Sequence, residues 1–143
     1  MLILYSLLNY FYNYSFIFLC SCCFYKSSNG FSSQKKDLTY DMIILDPPSF
    51  AKSKNYIFKA DKNYKDIISQ SIRILKEDGL ILASTNLEKM DMDKFVSQIE
   101  EGVREENKKF KILEIFTQPE DFKVNESYPE GKYLKVVLLK IFS

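Results

Sequence analysis

Between Tyr40 and Phe142 the apolar positions change period repeatedly, and each change marks an element. Tyr40 to Leu45, YDMIIL, is a continuous apolar run closed by Asp46-Pro47-Pro48, the pattern of a strand buried on both faces. Proline cannot donate to a sheet ladder and biases its predecessor away from helix, so the chain must leave the sheet there in a rigid extended turn. A polar loop is expected next. Tyr64, Ile67, Ile68, Ile72 and Leu75 then recur at helical spacing, with Gly79 as a plausible stop, which predicts an amphipathic helix of about four turns.

Leu80 to Ala83, LILA, reads as a second buried strand ending in Ser84-Thr85-Asn86. Asp91 is placed to cap a second helix whose apolar stripe is Met92, Phe95, Val96, Ile99 and Val103. Two β-rich runs follow, Phe110 to Thr117 and Tyr133 to Phe142, separated by a loop holding Pro119, Pro129 and Gly131 with no room for a helix. Strands joined without a crossover helix pair antiparallel. The expectation is an α/β sheet in the order βαβαββ, parallel strands plus a closing antiparallel strand. In such sheets ligands bind beyond the carboxyl ends of the strands, where Asp46 to Phe50 (DPPSF) and Ser84 to Asn86 fall.

Composition changes this picture mainly at the N-terminus. Residues 1–25 carry no Asp, Glu, Lys or Arg; the 20 basic and 19 acidic residues all lie from Lys26 onward. Residues 2–25 are long enough for a membrane span, but Asn9, Asn13, Ser6 and Ser15 interrupt them and no basic residue precedes them, so insertion is the lesser expectation. The same lack of a charged start argues against a signal peptide. All three cysteines, Cys20, Cys22 and Cys23, lie here, at a spacing that fits neither a disulfide framework nor a zinc site. Residues 1–33 are read as an atypical Tyr/Phe-rich segment and linker, and 38–143 as the domain. There is no His, which excludes imidazole catalysis and His-ligated metals, and no metal is expected. The net charge of +1 excludes a strongly basic chain but not a local basic face.

DPPSF has a physical rationale as a substrate-gripping loop. Two prolines fix the backbone, the Asp46 carboxylate and the neighbouring Pro47 carbonyl are acceptors, and Phe50 offers a face for stacking a base. A plain strand exit with a capping carboxylate is the competing reading of the motif alone. With its surroundings, YDMIILDPPSFAKSK (Tyr40 to Lys54), YKDIISQSIRILKEDGLILASTN (Tyr64 to Asn86) and PEGKYLKVVLLKI (Pro129 to Ile141), the chain resembles bacterial 23S ribosomal RNA methyltransferases that use S-adenosylmethionine. The resemblance covers roughly residues 38–143 and implies the C-terminal half of a Rossmann-like methyltransferase sheet, acting on ribosomal RNA in the cytoplasm.

Carried over by resemblance, Asp46 and Pro47 would be catalytic, contacting the target base or the reactive end of the cofactor. Pro48, Ser49 and Phe50 would line the base pocket, Lys52 and Lys54 would meet RNA phosphates, and Ser84, Thr85 and Asn86 would face the substrate. Relatives that methylate C5 of cytosine carry a cysteine where Ser84-Thr85-Asn86 stand. A hydroxyl is a far weaker nucleophile than a thiolate, so a nitrogen or another non-C5 target is expected. The family's glycine-rich cofactor turn should precede DPPSF, yet the four glycines are Gly30, Gly79, Gly102 and Gly131, with no G-x-G. The expectation is therefore a truncated methyltransferase of doubtful independent activity, with an unpaired sheet edge at Tyr40 to Leu45. The alternative is an interaction module completed by a second chain.

Overall fold

The computed structural model describes residues 15–19, 39–52, 57–118 and 133–143. Lys54, the three cysteines, most of residues 2–25, and Pro119, Pro129 and Gly131 lie outside them. In chain order the elements are β1 (Phe16–Leu19), β2 (Tyr40–Leu45), β3 (Phe50–Lys52), β4 (Ile57–Lys59), α1 (Ala60–Ile72), β5 (Leu75–Thr85), α2 (Met92–Glu105), β6 (Lys109–Thr117) and β7 (Lys135–Phe142). Five strands form one sheet in the order β1-β2-β5-β7-β6, while β3 and β4 form a separate antiparallel hairpin. β1, β2 and β5 are mutually parallel, and β7 is antiparallel to both β5 and β6. The closing antiparallel strand expected from the sequence is thus β7, inserted between β5 and β6.

Alternation along each strand builds two apolar faces. Ile43, Leu45, Ile81, Ala83, Val137 and Leu139 join the helices in the main core, with Tyr64, Ile67 and Ile68 from α1 and Phe95, Ile99 and Val103 from α2. Met42, Ile44, Leu82, Val136 and Leu138 form a second cluster on the opposite face. Asp91 caps α2 as expected, accepting from the Lys94 amide at 2.7 Å.

Four expectations are corrected. The loop after DPPSF contains the β3–β4 hairpin. α1 begins at Ala60 and ends at Ile72, because the Tyr40 amide takes the Ile74 carbonyl at 2.9 Å and draws Leu75 into the sheet opposite Tyr40. Gly79 is not a helix stop but part of β5. Between Tyr40↔Leu75 and Met42↔Leu80, β5 uses more residues than β2, so Lys76 to Gly79 bulge, with Asp78 at a left-handed φ of 59°. A Cβ on Gly79 would sit 2.5 Å from Leu75 Cγ. Finally, the edge of β2 is paired. β1 lies parallel to it, and Asp41 anchors the start of β1 by accepting from the Ser15 hydroxyl at 2.6 Å and the Ser15 amide at 2.9 Å. No described helix is long and apolar enough to cross a membrane.

Candidate active site

Because β2 and β5 are parallel with Leu45 beside Ala83, their carboxyl ends meet, and the residues that follow each strand share one rim. The Ser84 hydroxyl donates to Asp46 Oδ1 at 2.6 Å, with the Leu45 carbonyl at 3.1 Å as a second acceptor within reach. A hydroxyl has one proton, so the shorter contact to the carboxylate is the dominant one. Further along, the Ser49 hydroxyl donates to Asn86 Oδ1 at 2.7 Å, joining the DPPSF loop to the end of β5 a second time. Two side-chain bridges thus fix the loop, and the prolines between them stiffen it.

The rim rests on Tyr64. Its ring is fully buried and meets Phe95 edge to face, with centroids 4.9 Å apart and planes at 89°. Its hydroxyl donates to the Ser84 carbonyl at 2.7 Å. Burial, and then the charge of Asp46, push the phenol well above its ordinary value, and the bond to Ser84 only partly opposes this. Tyr64 is therefore a fixed proton donor to the backbone beneath Asp46.

Asp46, Ser49, Ser84 and Asn86 are brought together; other predicted residues are distributed differently. Pro47 is buried, turned into the protein as a wedge, whereas Pro48 and Asp46 are exposed. Thr85 is 1% exposed, and its Oγ1 accepts from the Leu87 amide at 3.3 Å, so its hydroxyl supports the turn after β5. Phe50 is 56% exposed on β3 and Lys52 is exposed on the same strand.

Two residues of the rim were not singled out from the sequence. Tyr64 was read as one member of an Ile-rich stripe; the signal was its hydroxyl, which needs a partner once buried. Lys135 faces Thr85 across the β5–β7 pair and is 8% exposed. Its ammonium donates to the carbonyls of Leu87 (3.2 Å) and Tyr133 (2.9 Å), and burial lowers its pKa against the pull of Asp91. A lysine in register with the inward-facing Val137, Leu139 and Ile141 was the available signal.

The described residues fit one end only of the cofactor that the resemblance implies. Exposed Asp46 and the strand-end carbonyls are acceptors at the rim. Among the described residues none supplies the glycine-bearing turn that would cradle the rest of the cofactor.

No family model matches the chain. YwbD of Bacillus subtilis, named as a ribosomal RNA large subunit methyltransferase, is 50% identical over 113 residues, which are 78% of this chain and 28% of YwbD. Ribosomal RNA large subunit methyltransferase I of Vibrio parahaemolyticus is 36% identical over 102 residues, 71% of this chain and 26% of its own length. The crystal structure of SMU.776, named as a methyltransferase complexed with SAH, superposes with a TM-score of 0.66 at 42% identity, over 76% of this chain and 28% of that one. The fold is that of the C-terminal part of a Rossmann-like S-adenosylmethionine-dependent methyltransferase. By sequence, the chain is similar to the C-terminal part of bacterial large-subunit ribosomal RNA methyltransferases, and it spans 28% of the length of the first of these relatives.

Proposed function

We propose that this domain supplies the base-gripping half of an S-adenosylmethionine-dependent methyltransferase site for large-subunit ribosomal RNA, acting in the cytoplasm. The observation that carries the reading is the double bridge, Ser84 to Asp46 and Ser49 to Asn86, which ties the DPPSF loop to the end of β5 at the sheet's ligand-binding end. A carboxylate accepts at both oxygens, so exposed Asp46 keeps acceptor capacity for an amino or imino group of a base. Pro47 and Pro48 remove the loop's freedom to retreat, and positioning of this kind is a large part of what a methyl-transfer site needs from its protein. S-adenosylmethionine, when bound, supplies an electrophilic methyl group. Its cradle is assigned to a glycine-bearing half, provided by another part of the protein or by a second chain.

The target favoured is a ring nitrogen whose own lone pair attacks. Both candidate hydroxyls at the end of β5 are engaged, Ser84 with Asp46 and Thr85 with the Leu87 amide. Asp46 is placed to act as a base toward Ser84, but a hydroxyl is a far weaker nucleophile than the thiolate that addition to C6 of a pyrimidine uses.

Calorimetric titration of S-adenosylmethionine tests the half-site. The full chain alone should show no saturable binding at millimolar cofactor. Mixing with the complementary part of a relative such as YwbD should restore binding, more weakly for Asp46→Ala. Micromolar binding by the chain alone would contradict the division of the site.

A further inference from the structure

We propose that the outer face of the β3–β4 hairpin is a docking strip for single-stranded RNA, with Phe50 stacking a base and Lys52 and Lys59 taking the phosphates beside it; this rests on reading the adjoining crevice as an RNA-modifying site. The register assigns the residues. In an antiparallel pair, residues directly opposite share a face, and neighbours along a strand alternate. Phe50 lies opposite Lys59 and Lys52 opposite Ile57, so these four share one face, while Ala51 and Phe58 share the other.

Burial agrees with the register. Phe58 is 3% exposed and Ala51 packs on the core, whereas Phe50 is 56% and Ile57 48% exposed, and both lysines are exposed. Two large apolar side chains standing in water beside two cations contribute little to the fold. They are the components that unpaired nucleic acid requires: a ring for the face of a base and ammonium groups for the backbone. Lys52 and Lys59 are diagonal neighbours, about 7–8 Å apart, on either side of the Phe50 ring. No acidic residue belongs to this face.

The strip is rigidly joined to the crevice. The Ala60 amide donates to the Ser49 carbonyl at 3.0 Å, and the Ser49 hydroxyl reaches Asn86 on the rim, one residue before Phe50. A strand whose target base enters beside Asp46 would therefore cross Phe50 next. A duplex fits less well, because its stacked bases present no free face. Lys59 and Ile57 belong to no motif of the sequence and enter only through the register.

Fluorescence anisotropy of a labelled unstructured RNA with the full chain, with one 2-aminopurine as a stacking reporter, tests the assignment. Phe50→Ala should weaken binding about 5- to 150-fold and relieve 2-aminopurine quenching, while Phe50→Tyr should keep both. Lys59→Gln should lower the slope of log affinity against log salt by about one; Lys109→Gln, at the far edge strand, should not. All three positions are exposed, so the variants should fold. Wild-type affinity and salt slope in both Phe50→Ala and Lys59→Gln would overturn the strip while leaving the crevice reading to the cofactor titration. No RNA binding, or binding of anionic lipid vesicles in its place, would also overturn it.

Discussion

Replacing Tyr64 by Phe deletes a single oxygen, yet that oxygen satisfies the Ser84 carbonyl directly beneath the Asp46 bridge. Leaving a buried carbonyl unpartnered costs about 1–3 kcal/mol; urea unfolding of Tyr64→Phe should show a loss of this size, and an unchanged midpoint would mean that the bond contributes nothing. Asp41 governs a different junction. The Ser15 hydroxyl, followed by the Lys76 ammonium, holds its carboxyl down from the usual carboxylate range to about 2. A depressed folded pKa adds stability above the ordinary value, near 3.9, and that contribution disappears as the pH falls towards 2. Between pH 4 and 2, the amide of Ser15 should therefore lose hydrogen-exchange protection in the wild type, whereas Asp41→Asn should already be unprotected at pH 4; identical profiles would remove Asp41 as the anchor of β1. At this scale the sequence was partly legible. DPPSF and Ser84-Thr85-Asn86 announced themselves as unusual residues at strand ends. What they bond to depended on the register between β2 and β5, which no local pattern carries.

At the scale of elements, Gly102 makes the sharpest prediction. Alanine normally stabilises an exposed helix interior by about 1 kcal/mol over glycine. A Cβ on Gly102, however, would sit 2.6 Å from the Lys65 carbonyl and 2.7 Å from Ile68 Cβ, where α2 crosses α1. Gly102→Ala should therefore destabilise by about 1–3 kcal/mol, as overpacking does, and a thermal midpoint above wild type would show that the helices are not in such close contact. Asp91→Ala removes the cap on Lys94 and should cost about 1 kcal/mol. The α2 stripe and its cap were read correctly because both are local signals. The end of α1 was not, since Leu75 continues the helical spacing while the Tyr40 amide claims Ile74 for the sheet. The hairpin escaped for a similar reason: three-residue strands are too short to show a period.

Across the whole molecule, the alternation of strand and helix along the chain and the closing antiparallel strand were legible because each buried run was bounded by turn residues, and because the two last strands lack a connecting helix. The place of β1 was not. Phe16–Leu19 is embedded in a continuous apolar segment without alternation, so pairing with β2 follows from the open edge and the Asp41–Ser15 contacts and not from any period. The resulting sheet sets Asp46, Ser49, Ser84 and Asn86 at one end and the exposed Phe50 face beside them, and the proposed function has the loop grip a base and the hairpin guide the strand. The proposed function requires methyl transfer to RNA to pass through this rim. The direct test is incorporation of label from S-adenosylmethionine into protein-free large-subunit RNA by the full chain combined with the complementary part of a relative. Incorporation is expected with the wild-type chain, and a loss of at least about 100-fold with Asp46→Ala, the scale on which a positioning contact acts. Equal incorporation by the two chains would place the chemistry elsewhere.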